Sequence, residues 1–171
     1  MFEKKDIETY FLAEKKESYW FVIIGILSEL TALVFFFFLH STCFTGAAIP
    51  IFMIGSILGI VGYTVYKRSD EDRKRNVYAY DMNPSELKNV EWPRMQTVMQ
   101  NFKLYRYLEI IFLLIGIFLL LFFYADAKNV FWKGFGIGLS AMALIALVVD
   151  YFAEQRGKIY FKGLTSFTQK S

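Results

Sequence analysis

The sequence predicts an all-α integral membrane protein. It reads as four transmembrane helices in two antiparallel hairpins, with a helical cytoplasmic loop between them and an amphipathic helix at the N-terminus. Three observations predict this. Of the 171 residues, 56% are hydrophobic, more than an ordinary soluble domain carries. The apolar residues fall in four blocks, 19–39, 47–66, 104–124 and 130–151, each near the roughly 20 residues a helix needs to cross a bilayer core. The basic residues crowd one side of those blocks: only Lys128 and Lys133 lie on the other. The positive-inside rule then places both termini and the connection 67–103 in the cytoplasm, and the chain in a plasma or bacterial inner membrane. Little chain remains for a second domain, so 1–171 reads as one membrane domain.

Segment 1–18 is charged, with Ile7, Tyr10 and Phe11 at helical spacing. That pattern predicts a short amphipathic helix on the inner membrane surface. Tyr19 and Trp20 follow as an interfacial aromatic anchor. The first block lacks a small-residue cleavage site and reads as a retained anchor. It holds Glu29 about ten residues in, roughly 15 Å along a helix, near the bilayer midplane. Gly25, Ser28 and Ala32 share its face. Fourteen Leu, Ile, Val and Phe residues surround it and offset the roughly 3 kcal/mol that an ionised group costs there. Glu29 with Ser28 is therefore a candidate intramembrane polar site. Its two readings are a proton or cation path and a neutral carboxyl hydrogen-bonded to a neighbouring helix.

The connection 40–46 is short, so the first two spans form a tight hairpin. Pro50 falls near the start of the second, where a missing amide proton is tolerated. Gly55, Gly59 and Gly62 mark a small-residue packing face, as do Gly134 and Gly138 in the fourth span. Such faces let helix backbones approach closely in lipid, within one chain or between copies.

In the connection 67–103, Asn83-Pro84-Ser85-Glu86 is a helix start. A second start follows at Trp92-Pro93. From there Met95, Val98, Met99 and Phe102 recur at i, i+3, i+4 and i+7. This stripe predicts a helix that runs into the third span. It is a candidate contact surface for another helix of this chain, a second copy or a cytoplasmic protein partner. The tail 152–171 mixes basic and aromatic residues and is expected on the cytoplasmic side. The pieces Ile23-Ile24-Gly25-Ile26 and Leu114-Ile115-Gly116-Ile117 hint that the hairpins are a pseudo-repeat.

Glu109 and Asp150 sit at the inner ends of the third and fourth spans. They read as interfacial acids paired with Arg106 and Arg156, or as an acidic ring at a pore mouth built from several subunits. His40, the sole histidine, falls on the outer side, either as a headgroup-level polar residue or as an external pH sensor. The lone Cys43 has no internal disulfide partner, and no Cys/His cluster offers a zinc site. No nucleophile elbow, Walker loop or Gly-rich dinucleotide loop is present. The sequence thus specifies no catalytic residue, metal or cofactor, and a non-enzymatic protein is expected. The basic loop reads as a topology signal and lipid attraction, not as nucleic-acid binding. The expected partners are the bilayer and further copies of the chain. Three functions remain in order: a homo-oligomeric pore or channel-like membrane effector, a membrane-anchored adaptor docking a partner through its cytoplasmic loop, and a small proton- or cation-coupled transporter.

Overall fold

The computed structural model describes residues 2–169, and those residues are helical apart from short connections. Helix α1 spans Lys4–Phe37, α2 Thr42–Met82, α3 Pro84–Glu86, α4 Trp92–Phe122 and α5 Val130–Thr168, with a π-helical stretch Leu87–Glu91 between α3 and α4. Four helical runs are long and apolar enough to cross a membrane, which marks the chain as a multi-pass membrane protein. At about 1.5 Å per residue, the 41 residues of α2 reach roughly twice the thickness of a hydrocarbon core. Each long helix therefore has an apolar half near the short turns and a polar half near the termini.

The helices do not stop where the apolar blocks stop. The helix that begins at Lys4 continues into the first span, α2 runs on to Met82, and the segment after residue 151 stays helical to Thr168. The reason is the absence of a breaker at the expected boundary. Past Tyr66, α2 meets no Pro or Gly until Asn83-Pro84, and Arg75 pairs with Asp72 one turn away at 2.9 Å. At the other breaker, Pro93 has no amide proton and its ring crowds the carbonyl four residues back. The backbone widens there, and the Trp92 amide donates to the Leu87 carbonyl, five residues back. The helical run Pro84–Phe122 thus passes the proline unbroken.

The polar halves pack like a soluble domain. Ile7, Phe11, Leu87, Met95 and Leu164 are almost completely buried together, with Tyr10 and Tyr160 stacked at 4.1 Å between ring centroids. The apolar face of segment 1–18 is therefore spent inside this core rather than laid on a lipid surface. Glu91 is buried in the same core. It accepts two hydrogen bonds from Arg94, at 2.8 and 2.7 Å, and one from the Tyr160 hydroxyl at 3.2 Å. Desolvation alone would lower the Arg94 pKa, but these bonds and the Glu91 charge raise it overall.

The apolar halves pack differently, through small residues. Helix α1 lies against α2, α2 against α5, and α5 against α4. A Cβ on Gly25 would stand 2.6 Å from the Gly59 backbone, so no larger residue fits. Gly116 of α4 is held as closely by Gly136 and Ser140 of α5. Gly134 and Gly138 press on Cys43 and Ala47 of α2. Lys4–Asp81 and Lys15–Asp70 continue the α1–α2 contact through the polar halves.

Two outcomes follow from this packing. Arg94→Met leaves Glu91 buried without its cation, and a thermal melt of the detergent-solubilised protein should show a loss of about 3 kcal/mol. An unchanged melt would remove the assigned weight from this pair. In the α1–α2 contact, Gly25→Ala should cost about 1–3 kcal/mol by overpacking. Gly59→Ala, whose new Cβ would meet its nearest atom at an ordinary 3.7 Å, should stay within about 0.5 kcal/mol of the native protein.

Candidate functional site

Three of the four sides of the helix bundle are sealed by helix contacts. On the fourth side the backbones of α1 and α4 scarcely approach, and side chains alone bridge the gap. Where the apolar halves give way to the polar halves, this gap opens into a cavity of about 250 Å³. All four long helices wall it. Helix α1 supplies Glu14, Glu17 and Ser18, α2 supplies Arg68, α4 supplies Asn101 and Tyr105, and α5 supplies Asp150 and Arg156. The space is large enough for several waters, and its walls offer the polar partners that ordered water needs.

The charged walls are held by hydroxyls at Glu14 and by an ion pair at Glu17. Glu14 is buried, and its carboxylate has the Tyr10 hydroxyl at 3.2 Å and the Ser69 hydroxyl at 3.1 Å. The Ser69 hydroxyl also lies 2.7 Å from the Val65 carbonyl, and its one proton serves one of these acceptors. The Ser18 hydroxyl donates to the Glu14 carbonyl at 2.7 Å. Burial, and then the Glu14 charge, push the Tyr10 phenol well above its ordinary pKa, so it acts as a donor at any physiological pH. Glu17 forms an ion pair with Arg156, whose guanidinium also lies over the Tyr10 ring at 5.8 Å.

Behind Asp150 and Phe102, which line both spaces, a smaller cavity of about 90 Å³ lies between α4 and α5. Glu109 and Glu154 face it. Glu154 is buried and neutralised twice, by Arg106 and by Lys158 at 3.0 Å. Glu109 is 9% exposed, and no hydrogen-bond donor among the described residues reaches its buried Oε2. Its carboxyl group instead shares the lining of this cavity with that of Asp150.

The structure separates the sequence-derived candidates. Glu109 and Asp150 come together at the α4–α5 seam. Glu29 lies apart from both cavities and accepts a hydrogen bond from Ser56 of α2 at 2.5 Å. Ser28 points toward α5, with its hydroxyl 3.7 Å from the Met142 sulfur. Gly55 and Gly59 face α1, Gly62 faces Ser18 and Phe21, and Gly134 and Gly138 face α2, all within one chain. Met95 is buried in the core, Met99 packs on it, and Val98 and Phe102 line the larger cavity. His40 is exposed in the first turn, with a φ of 43°. Among the described residues, no group of three or more His, Cys, Asp or Glu is placed to hold a metal ion.

The sequence pattern does not single out Glu14, Glu17 or Glu154, and Arg156, expected beside the span-end acids, pairs with Glu17. A signal existed for the first of them. Ile7, Tyr10, Phe11, Glu14 and Ser18 recur at three- and four-residue steps, so Glu14 continues the apolar face it interrupts.

Water access to the larger cavity can be read by thiol labelling. In a Cys43→Ser background, Asn101→Cys should react with a membrane-impermeant maleimide, while Leu114→Cys on the exposed apolar face of α4 should resist it. Equal protection at both positions would show the cavity to be dry.

Comparison of the chain with family models, with characterised proteins and with solved structures gave no match, so the reading of this site rests on its own geometry and chemistry.

Proposed function

We propose that this chain is a channel-like membrane effector that works as an assembly of several copies. In this reading the four apolar halves span a cell membrane as two antiparallel hairpins. The termini and the connection around Asn83 face the cytoplasm, on the side that carries all but two of the basic residues.

The observation that carries the reading is the polar cavity between α1 and α4. It cuts a polar, charge-lined notch into the region where the spans begin, and the polar halves of all four helices surround its mouth. Buried ionisable groups at membrane depth are costly and mark ion or proton pathways. One chain is too slender to enclose a path across the bilayer. The tight contacts of Gly134 on Cys43 and Gly138 on Ala47 close its other end. Several copies are needed to extend the path, and α4 has the surface for them. Only 6% of the apolar window of the Pro84–Phe122 run is buried, against 33% for α2 and α5.

The competing adaptor reading drew on the stripe Met95, Val98, Met99 and Phe102 as a docking surface. Those side chains are occupied by contacts within the chain, which leaves that reading with less to stand on.

Reconstitution tests the proposal. Purified protein in liposomes should support flux of protons or small ions that rises more steeply than linearly with the protein-to-lipid ratio. Asn101→Trp, which fills the cavity, should abolish it. Absence of flux at every ratio, at both neutral and acidic pH, would overturn the channel reading.

A further inference from the structure

The Glu109–Asp150 contact lacks a component. Two carboxyl groups line one small cavity, one of them nine-tenths buried, and no donor among the described residues reaches Glu109 Oε2. Two acceptors in contact repel unless something positive lies between them. The neighbouring cations do not fill that role: Arg106 and Lys158 both engage Glu154. A metal cation is a poor fit. Hard cations take about six or more oxygen ligands, whereas the third carboxylate on this small cavity, Glu154, is already held by Arg106 and Lys158, and Phe102, Leu147 and Tyr151 line the rest. A proton needs only the two carboxyl oxygens.

We propose that Glu109 and Asp150 form a proton-binding site that holds one proton between them and exchanges it with water in the larger cavity. Asp150 lines both spaces and is the group through which the proton enters. Loading transfers a proton from hydronium in the cavity to a carboxylate oxygen and releases water. The pair changes from two negative charges to one, and no other bond breaks. Unloading leaves two negative charges facing across the α4–α5 seam, which pushes the helices apart at that level.

Charged and titratable groups surround the pair on every side. Helix α4 presents Arg106 and Tyr105, and α5 presents Glu154, Lys158, Tyr151 and Arg156. Across the larger cavity α1 presents Tyr10, Glu14 and Glu17, and α2 presents Arg68. Arg106, Lys158 and Glu154 leave one net positive charge beside the pair, and the Glu17–Arg156 ion pair is neutral. The immediate surroundings therefore tolerate one negative charge on the pair and not two.

The proposal shares the membrane placement of the channel reading but does not depend on flux. Infrared spectroscopy of the purified protein in lipid distinguishes a protonated carboxyl from a carboxylate. Glu29→Gln serves as the background, since Glu29 is a second intramembrane carboxyl. At neutral pH that background should show a carboxylic acid band equivalent to one group per chain. The band should shift on transfer to deuterated water and stay the same when sodium replaces choline. It should vanish on adding Glu109→Gln or Asp150→Asn. Absence of the band in the background protein overturns the proposal without any further variant. A band that survives both substitutions, or that sodium removes, overturns it as well. A band without liposome flux would uphold the proton site and defeat the channel reading, and flux without a band would do the reverse.

Discussion

The fold depends on the close approach of helix backbones where no hydrophobic force drives them together. In lipid, apolar side chains gain nothing by leaving their surroundings, so helices associate by fitting closely. Gly25 against Gly55 and Gly59 sets the distance of α1 from α2, Gly116 against Gly136 and Ser140 sets α4 from α5, and Gly134 with Gly138 joins the two pairs. These contacts fix a row in the order α1, α2, α5, α4. No comparable contact joins the two ends of the row, and this omission leaves α1 and α4 apart.

The polar halves of the same helices obey a different rule. In water, burial of Phe11, Ile7, Leu87, Met95 and Leu164 is itself favourable, and it draws all four helices around one core. Packing therefore changes mechanism along each helix, from small-residue fit to aromatic and aliphatic burial. The larger cavity sits at that change. It lies above the last core residues, Tyr10 and Val98, and below the membrane-level glycine contacts. Neither mechanism fills the space there, and charged side chains line the level that both leave open.

How much of this is legible in the sequence follows from the range of each signal. The four apolar helices announce themselves by composition over about 20 residues each. The stripe of Ile7, Tyr10 and Phe11 is a local period and predicts a helix with a buried face. What covers that face is a long-range fact, because Leu87, Met95 and Leu164 are far along the chain, and the stripe taken alone reads as a lipid-surface helix. The Glu91–Arg94 pair lies in a stretch that looks like a mixed-charge connection, and nothing local marks it as core. Glu109 and Asp150 are visible as acids at span ends, but their meeting depends on the register of α4 against α5. That register is set by Gly116 and Ser140, which carry no sign of their partner.

Aligning the two helix pairs by their glycine contacts sharpens the role of that seam. Gly25 meets Gly55 and Gly59, four residues apart, and Gly116 meets Gly136 and Ser140, also four apart. Seven residues before Gly25 stands Ser18, and seven before Gly116 stands Glu109. Ten residues after Gly59 stands Ser69, and ten after Ser140 stands Asp150. Corresponding places thus carry two hydroxyls in one pair and two carboxyls in the other. The hydroxyls are neutral and lie 2.7 Å from carbonyls of their own helices, those of Glu14 and Val65, to which they can donate. The carboxyls have no such outlet, because a carboxylate cannot donate to a carbonyl and each can satisfy the other only by gaining a proton. The same backbone geometry therefore places neutral hydroxyls at these positions of one seam and titratable carboxyls at those of the other. The carboxyl seam joins α4 to the bundle, and α4 is the helix least covered by the rest of the chain.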